Sequence, residues 1–336
     1  MMVLLIKLSS LGYSVFDGSL ATEKLNEYQR EHAIKILPTL LEFLGYCFFF
    51  NGLYVGPAIE FHHYMQFINE EAHYRKRINS IPMAIRCLAI GLIMVAIDIC
   101  LAPYCHFHWI PSTYFKNLGI VQKLGYLLVA GMISRTKFHG VWKLSESAAL
   151  VSGVGVGSDS NGTIHFHAFE NISIFELETC ENVKASMDSW NKFTARWLRR
   201  YVYDRVNPPV LKLPTTFLVS AFWHGFYPGY YLAFLFSVPL TETGRTMRRV
   251  VRPYFLSPKG PLRNMKIVYD FLGFLLTMLS MDFLFVTFFV RHLDLGLAAW
   301  ANLYYFGFFL FIAPYILLEI VGLKRFLILP AKEKQK

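Results

Sequence analysis

The sequence predicts an all-α fold of membrane-crossing helices, about six to eight of them, and three observations predict it. Of 336 residues, 54% are hydrophobic and 17% are aromatic. Only 17% are charged, below the quarter usual in soluble domains. The mean hydropathy is +0.38. The apolar residues gather into runs near the roughly 20 residues that a helix needs to cross a bilayer.

The runs are Ile36 to Tyr54, Ile81 to Leu101, Leu118 to Ile133, Leu213 to Phe236, Phe271 to Val290 and Leu297 to Leu323. Two more, Met2 to Val15 and Val141 to Gly157, are too short or too polar to count as spans and are expected to be re-entrant or buried. The first residues lack a small-residue cleavage site followed by polar sequence, so a secretory signal peptide is not expected. No repeat, low-complexity tract or Pro/Gly/Ser linker divides residues 1–336, which read as one domain. The five cysteines are scattered and imply neither a disulfide framework nor a CxxC metal site.

The formal charge of +10 lies in the connections: Arg75 to Arg77, Lys192 to Arg205, Arg245 to Arg252, Lys259 to Lys266, and Lys324 onward. Basic residues flanking apolar spans mark cytosolic loops, and this placement argues against a nucleic-acid partner. Lys332 to Lys336 has the spacing of a KxKxx retrieval signal of endoplasmic reticulum membrane proteins, which requires a cytosolic C-terminus. Asn161 and Asn171 begin sequons, but their stretch leads into the basic segment at Lys192, so a cytosolic or membrane-embedded position, with no glycan, is expected.

The strongest local signal is Ser220-Ala221-Phe222-Trp223-His224-Gly225-Phe226-Tyr227-Pro228-Gly229-Tyr230-Tyr231, which puts an ionisable residue inside an apolar run. Such a residue is costly to bury and is a functional candidate by default. Ser220, Ala221 and Gly225 leave room beside the imidazole, and Pro228 removes the amide that would bond to the His224 carbonyl. A bend or opening is expected there. The alternative is a buried structural histidine.

A second segment, Ser189 to Arg205, places Trp190, Phe193, Trp197 and Tyr201 on one helical stripe and Lys192, Arg196, Arg199 and Arg200 on another, as in a helix lying in a membrane interface. The basic stripe suits either CoA phosphates or anionic lipid headgroups. Asn191 falls on the flank with Leu198 and Val202; it either finds a polar partner among apolar side chains or simply helps start the helix.

Two other chemistries lack their patterns. No two of the eleven histidines are three or four residues apart, so no metal site is expected, and no histidine is followed five residues later by the aspartate of an HxxxxD acyltransferase.

Trp223 to Phe234 matches the WHGxxxGYxxxF pattern of the lysophospholipid branch of the membrane-bound O-acyltransferases. Ser189-Trp190-Asn191 with Thr194, Trp197 and Leu198 resembles that family's asparagine motif, and Gly56-Pro57 with Glu60, Tyr64 and Phe67 resembles its earlier GP segment. The resemblance runs from about Ser9 to about Leu323. Members usually carry further helices before this point, so the chain is expected to be shortened at its N-terminus.

The resemblance implies helices around a central catalytic chamber, with acyl-CoA as cosubstrate, a lysophospholipid as acceptor and no further cofactor. It implies His224 as the base and Asn191 as the residue that orients substrate or donates to the charge developing on the carbonyl oxygen, with Trp190, Trp223, Tyr227, Tyr230, Lys192, Arg196, Arg199 and Arg200 contacting substrate. Gly229-Tyr230-Tyr231 points to the lysophospholipid branch, and no FYxDWWN segment of the sterol and diacylglycerol enzymes is present. The competing expectations are a protein or sterol O-acyltransferase, or a shortened, catalytically silent membrane protein acting through partners that the sequence leaves unnamed.

Overall fold

A computed structural model describes residues 2–76, 78–159, 161–256 and 260–327. The Lys332 to Lys336 signal, Arg77 and Lys259 lie outside them. The described chain is predominantly helical; its only sheet among those residues is a two-residue antiparallel pair, Gly157–Ser158 with Ile164–His165. It forms two compact units: residues 1–99, 136–173 and 190–207, and residues 100–135, 174–189 and 208–336.

In the first unit the N-terminal run is a full helix, Met2–Gly18. Its buried residues Val3, Ile6, Lys7, Ser10, Leu11, Ser14 and Asp17 recur at helical spacing, so its buried stripe is partly polar. Lys7 Nζ donates to the Tyr46 carbonyl at 3.0 Å, and Arg205 forms an ion pair with Asp17. These pairings satisfy the two charged groups on its buried stripe. Leu11, Tyr46, Ile59, Phe61, Tyr64, Ala149, Val154 and Phe169 form the core beside it.

The expected span at Ile36 to Tyr54 is helical only over Leu40–Cys47. A capping box of Thr39 and Glu42 starts that helix, and a turn carrying Gly52 at φ 79° follows it. Apolar content alone did not reveal these breaks.

Ile81–Leu101 is one helix of 21 residues with the expected bounds, and only 17% of its most apolar window is buried. Ala84, Cys87 and Gly91 face inward, while Ile85, Leu88, Leu92, Ile93 and Ile99 are exposed. Ser147 Oγ donates to the Ala84 carbonyl at 2.8 Å, and Ser80 Oγ to the Leu150 carbonyl at 2.5 Å.

The runs at Leu118 to Ile133 and Val141 to Gly157 belong largely to a single helix, Ile120–Ser152. Three charged side chains of this helix find partners of opposite charge. Lys143 pairs with Glu146 at 2.7 Å, and Arg135 with Glu178 at 2.7 Å and Asp282 at 2.5 Å. Arg135, Glu178 and Asp282 all belong to the second unit.

In the second unit the run Leu213 to Phe236 is divided into helices Pro209–His224 and Pro228–Leu256. The latter continues through Arg245 to Arg252, which the sequence assigns to a connection. Helix Lys266–Val290 follows, within a candidate span of 28 residues that starts at Arg263.

The run Leu297 to Leu323 is also not straight: Leu293–Asn302 and Phe306–Ile320 meet at 91°. Tyr304 and Tyr305 turn the chain at φ 54° and 53°. Asn302 holds the bend, accepting from Lys123 Nζ at 2.8 Å and donating to the Ile110 carbonyl at 2.9 Å, while Trp300 donates to the Phe283 carbonyl at 2.8 Å. By length and apolarity, two helices among the described residues are able to cross a membrane, or three with the bent pair as one.

Candidate active site

His224 is the last residue of helix Pro209–His224. Gly225, at φ 123°, a conformation that side chains disfavour, ends the helix by donating its amide to the carbonyls of Ala221 and Phe222. Pro228 then opens the next helix, where its missing amide costs nothing. The expected opening beside the imidazole is therefore three residues wide, 225 to 227.

Nδ1 of His224 lies 2.7 Å from the Ser220 carbonyl. A carbonyl only accepts, so Nδ1 carries the hydrogen, and in the neutral ring Nε2 keeps its lone pair. The ring is walled by Trp223, Phe234, Phe288 and Tyr230, with centroids at 4.6, 4.8, 5.1 and 5.8 Å. His224 and Trp223 are themselves partly buried.

The end of helix Lys266–Val290 fixes this turn. Gly229 donates its amide to the Arg291 carbonyl at 2.8 Å and accepts from Thr287 Oγ1 at 3.2 Å. A β-carbon at Gly229 would lie 2.1 Å from the Thr287 carbonyl oxygen. Tyr227 is exposed, stacked by the Arg291 guanidinium at 5.3 Å and by His292 at 5.7 Å. Tyr230 packs on Phe288 at 4.8 Å.

The other expected residues lie in the first unit. Asn191 precedes helix Lys192–Tyr201 with left-handed angles, φ 45° and ψ 52°, and its side chain does not cap that helix. Instead its Oδ1 accepts from Asn171 Nδ2 at 3.3 Å. Asn171 holds the helix start, its Oδ1 accepting from the Phe193 amide at 3.1 Å and its carbonyl from the Lys192 amide at 2.9 Å. Trp190 thus stands before the helix rather than on its apolar stripe, in a nest of Phe138, His139 and Trp142, with centroids at 5.5, 6.2 and 4.9 Å. Thr194, Trp197 and Tyr201 are the buried residues of the helix.

The four basic residues are not equivalent. Lys192 pairs with Glu170 at 3.1 Å, Arg199 with Asp204 at 2.9 Å, and Arg200 with Glu60 at 3.5 Å. Arg196 instead covers the Phe193 ring at 4.0 Å, and Arg200 also covers Tyr28 at 3.7 Å. Burial works against ionisation of Glu170. The hydrogen bond from Ser173 and the charge and hydrogen bond of Lys192 outweigh it, holding the carboxyl below its usual range.

The sequence alone did not bring in Asn171, Glu170 or Glu60 as partners of these residues, although the GP segment contains Glu60. Asn171 carried a signal of another kind, its sequon; at 2% exposure it is closed to a glycan. No three His, Cys, Asp or Glu side chains among the described residues gather as a metal site.

The family model described as MBOAT, membrane-bound O-acyltransferase family, matches residues 1–286. A lysophospholipid acyltransferase of Schizosaccharomyces pombe is 35% identical over 90% of this chain and 63% of its own length. One from Saccharomyces cerevisiae is 31% identical over 94% of this chain and 57% of its own. The human membrane-bound glycerophospholipid O-acyltransferase 2 is 30% identical over 100% and 65%. The chain therefore spans less than two thirds of the length of these three relatives.

Proposed function

Because this chain belongs to the membrane-bound O-acyltransferase family, we propose that it transfers a fatty acyl group from acyl-CoA to the free hydroxyl of a lysophospholipid, remodelling phospholipids. The observation that carries the reading is the hydrogen bond from His224 Nδ1 to the Ser220 carbonyl, which leaves Nε2 as a base. The names of the yeast relatives support the acceptor class.

A lysophospholipid hydroxyl does not ionise near neutral pH, so its proton must leave as its oxygen attacks the thioester carbonyl. Nε2 of His224 takes that proton. The tetrahedral intermediate then collapses, the carbon–sulfur bond breaks, and the imidazolium returns the proton to the leaving CoA sulfur. Asn191 donates from Nδ2, left to ligand by the bond at Oδ1, to the negative charge growing on the carbonyl oxygen. No acyl-enzyme is needed.

The aromatic side chains of Trp190, Trp223, Tyr227 and Tyr230 line the substrate path and keep out water, which would hydrolyse the thioester. Lys192, Arg196, Arg199 and Arg200 contact phosphates of CoA or lipid; Arg196, with no acidic partner in hydrogen-bond range among the described residues, is the most available of them. The protein works in the endoplasmic reticulum membrane with a cytosolic C-terminus, and six to eight segments around a chamber, several of them bent or broken, cross the bilayer.

Transfer of labelled oleoyl-CoA to a panel of lysophospholipids, measured in microsomes, tests this. Activity should appear with the parent chain and vanish in His224→Ala at equal expression. Transfer that survives the substitution removes His224 from the chemistry.

A further inference from the structure

Beyond the opening at residues 225 to 227, helix Pro228–Leu256 carries four arginines, Arg245, Arg248, Arg249 and Arg252. Their spacings of three and four residues put them on one helical face, and with Pro253 and Leu256 they line a groove of about 560 Å³. Like charges so spaced repel one another and destabilise a helix unless an anion lies among them.

The protein supplies little of that anion. Arg245 pairs with Glu242 at 2.8 Å, and Arg248 donates to the neutral Asn182 Oδ1 at 2.9 Å. Arg249 and Arg252 make no hydrogen bond or ion pair among the described residues, and both are exposed. Of the nearby acids, Glu319 is engaged by Lys324 and Thr246 and Asp270 by Lys266, and Glu181 forms no ion pair with the arginines among the described residues. The positive charge is therefore concentrated on one helix, and at Arg249 and Arg252 no ion pair among the described residues neutralises it.

Topology explains basic residues at a membrane edge, but not their arrangement as four guanidinium groups around one groove. A guanidinium presents a planar fork of donors that matches two oxygens of a phosphate, which an ammonium does not. We propose that this groove binds a ligand carrying two or more phosphate groups. The 3′-phosphorylated ADP portion of CoA and a polyphosphorylated inositol lipid headgroup both have that chemistry. The assignment does not rest on acyl transfer, because it is tested by binding alone.

The test uses the full chain in nanodiscs of neutral phosphatidylcholine, titrated with 3′,5′-ADP and with inositol trisphosphate. One probe should bind saturably, and about tenfold more weakly to Arg249→Gln/Arg252→Gln, as loss of two charge-assisted forks requires. Arg249→Lys/Arg252→Lys should lose binding by about threefold, since it keeps the charge but not the fork. Lys116→Gln/Lys184→Gln, with the same change in net charge, should bind as the parent does. Tighter binding of the nucleotide identifies a CoA site, and of the inositol phosphate a lipid-headgroup site. The proposal is overturned if neither probe saturates, or if both glutamine variants weaken equally. Should the arginine-to-glutamine chain aggregate, the lysine variant decides: parental affinity there also overturns it.

Discussion

Asn171 donates its side-chain amide to Oδ1 of Asn191 at 3.3 Å, although the two residues lie twenty positions apart. The same side chain accepts from the Phe193 amide at 3.1 Å. One buried asparagine thus starts the helix Lys192–Tyr201 and orients the residue before it.

Replacing it tests both jobs. Asn171→Ala leaves a helix-start amide and Asn191 Oδ1 without partners, a loss of about 1–3 kcal/mol of stability for an unsatisfied buried group. Asn171→Asp keeps the acceptor for Phe193 but not the donor to Asn191. Thermal unfolding in detergent should show a larger drop for the alanine variant, while acyl transfer should fall in both.

Gly229 is expected to tolerate no side chain. In Gly229→Ala the new methyl would press on backbone atoms, the Thr287 carbonyl oxygen at 2.1 Å and Arg291 Cα at 2.8 Å, which do not move aside as a flexible side chain does. Overpacking of this kind costs roughly 1–3 kcal/mol. Because the shift falls next to the His224 turn, acyl transfer should fall more than the amount of folded protein recovered from membranes.

Arg135 stands between Glu178 and Asp282, with Asp282 only 1% exposed. Arg135→Met removes the positive centre and leaves two carboxylates in a poorly solvated place. Breaking a buried pair from one side costs about 3–5 kcal/mol. Asp282→Asn keeps an oxygen to accept from Arg135 and should cost far less. Detergent-solubilised yield and melting temperature, compared between the two, check the order.

Acid should unfold the first unit before carboxylate protonation does. Burial, and then the charges of His32, His62, Arg200 and His73, push the His63 pKa down to about 3; burial also lowers that of His32. A histidine held neutral in the fold takes up its proton on unfolding. Stability from this group is therefore complete above the unfolded pKa of about 6.5 and is lost as pH falls from there toward 3. Each such proton changes the folded-to-unfolded ratio by about tenfold per pH unit within the window. Unfolding midpoints measured from pH 7 to pH 4 should flatten in His63→Phe.

The helix Ile81–Leu101 and the opening near Pro228 were legible because each depends on local sequence, an unbroken apolar run in one case and a Gly–Pro interruption in the other. The 91° bend at Leu303 to Tyr305 was not legible: its cause is the grip of Lys123 and Ile110 on Asn302, residues distant in sequence. Helix Ile120–Ser152 reads in the sequence as two separate apolar runs, because Arg135 interrupts the apolar pattern and its partners Glu178 and Asp282 come from other segments.

At the candidate site, motif residues were visible as letters. Helical periodicity in the sequence extends through Trp190 and Asn191, which the left-handed turn at Asn191 sets outside the helix. Glu60, Glu170 and Asn171, which neutralise or orient the motif residues, become visible only once the chain folds back.

The Ser220 carbonyl that holds His224 Nδ1 is also the one that, in a regular helix, receives the His224 main-chain amide four residues on. The ring and its own backbone thus share a single acceptor in the final turn of a helix. If that turn frays, the tether on the imidazole goes with it, and the preference for one tautomer disappears. The proton inventory of His224 is thereby a local order parameter, and a ring nitrogen chemical shift measured against temperature would report the melting of a helix end.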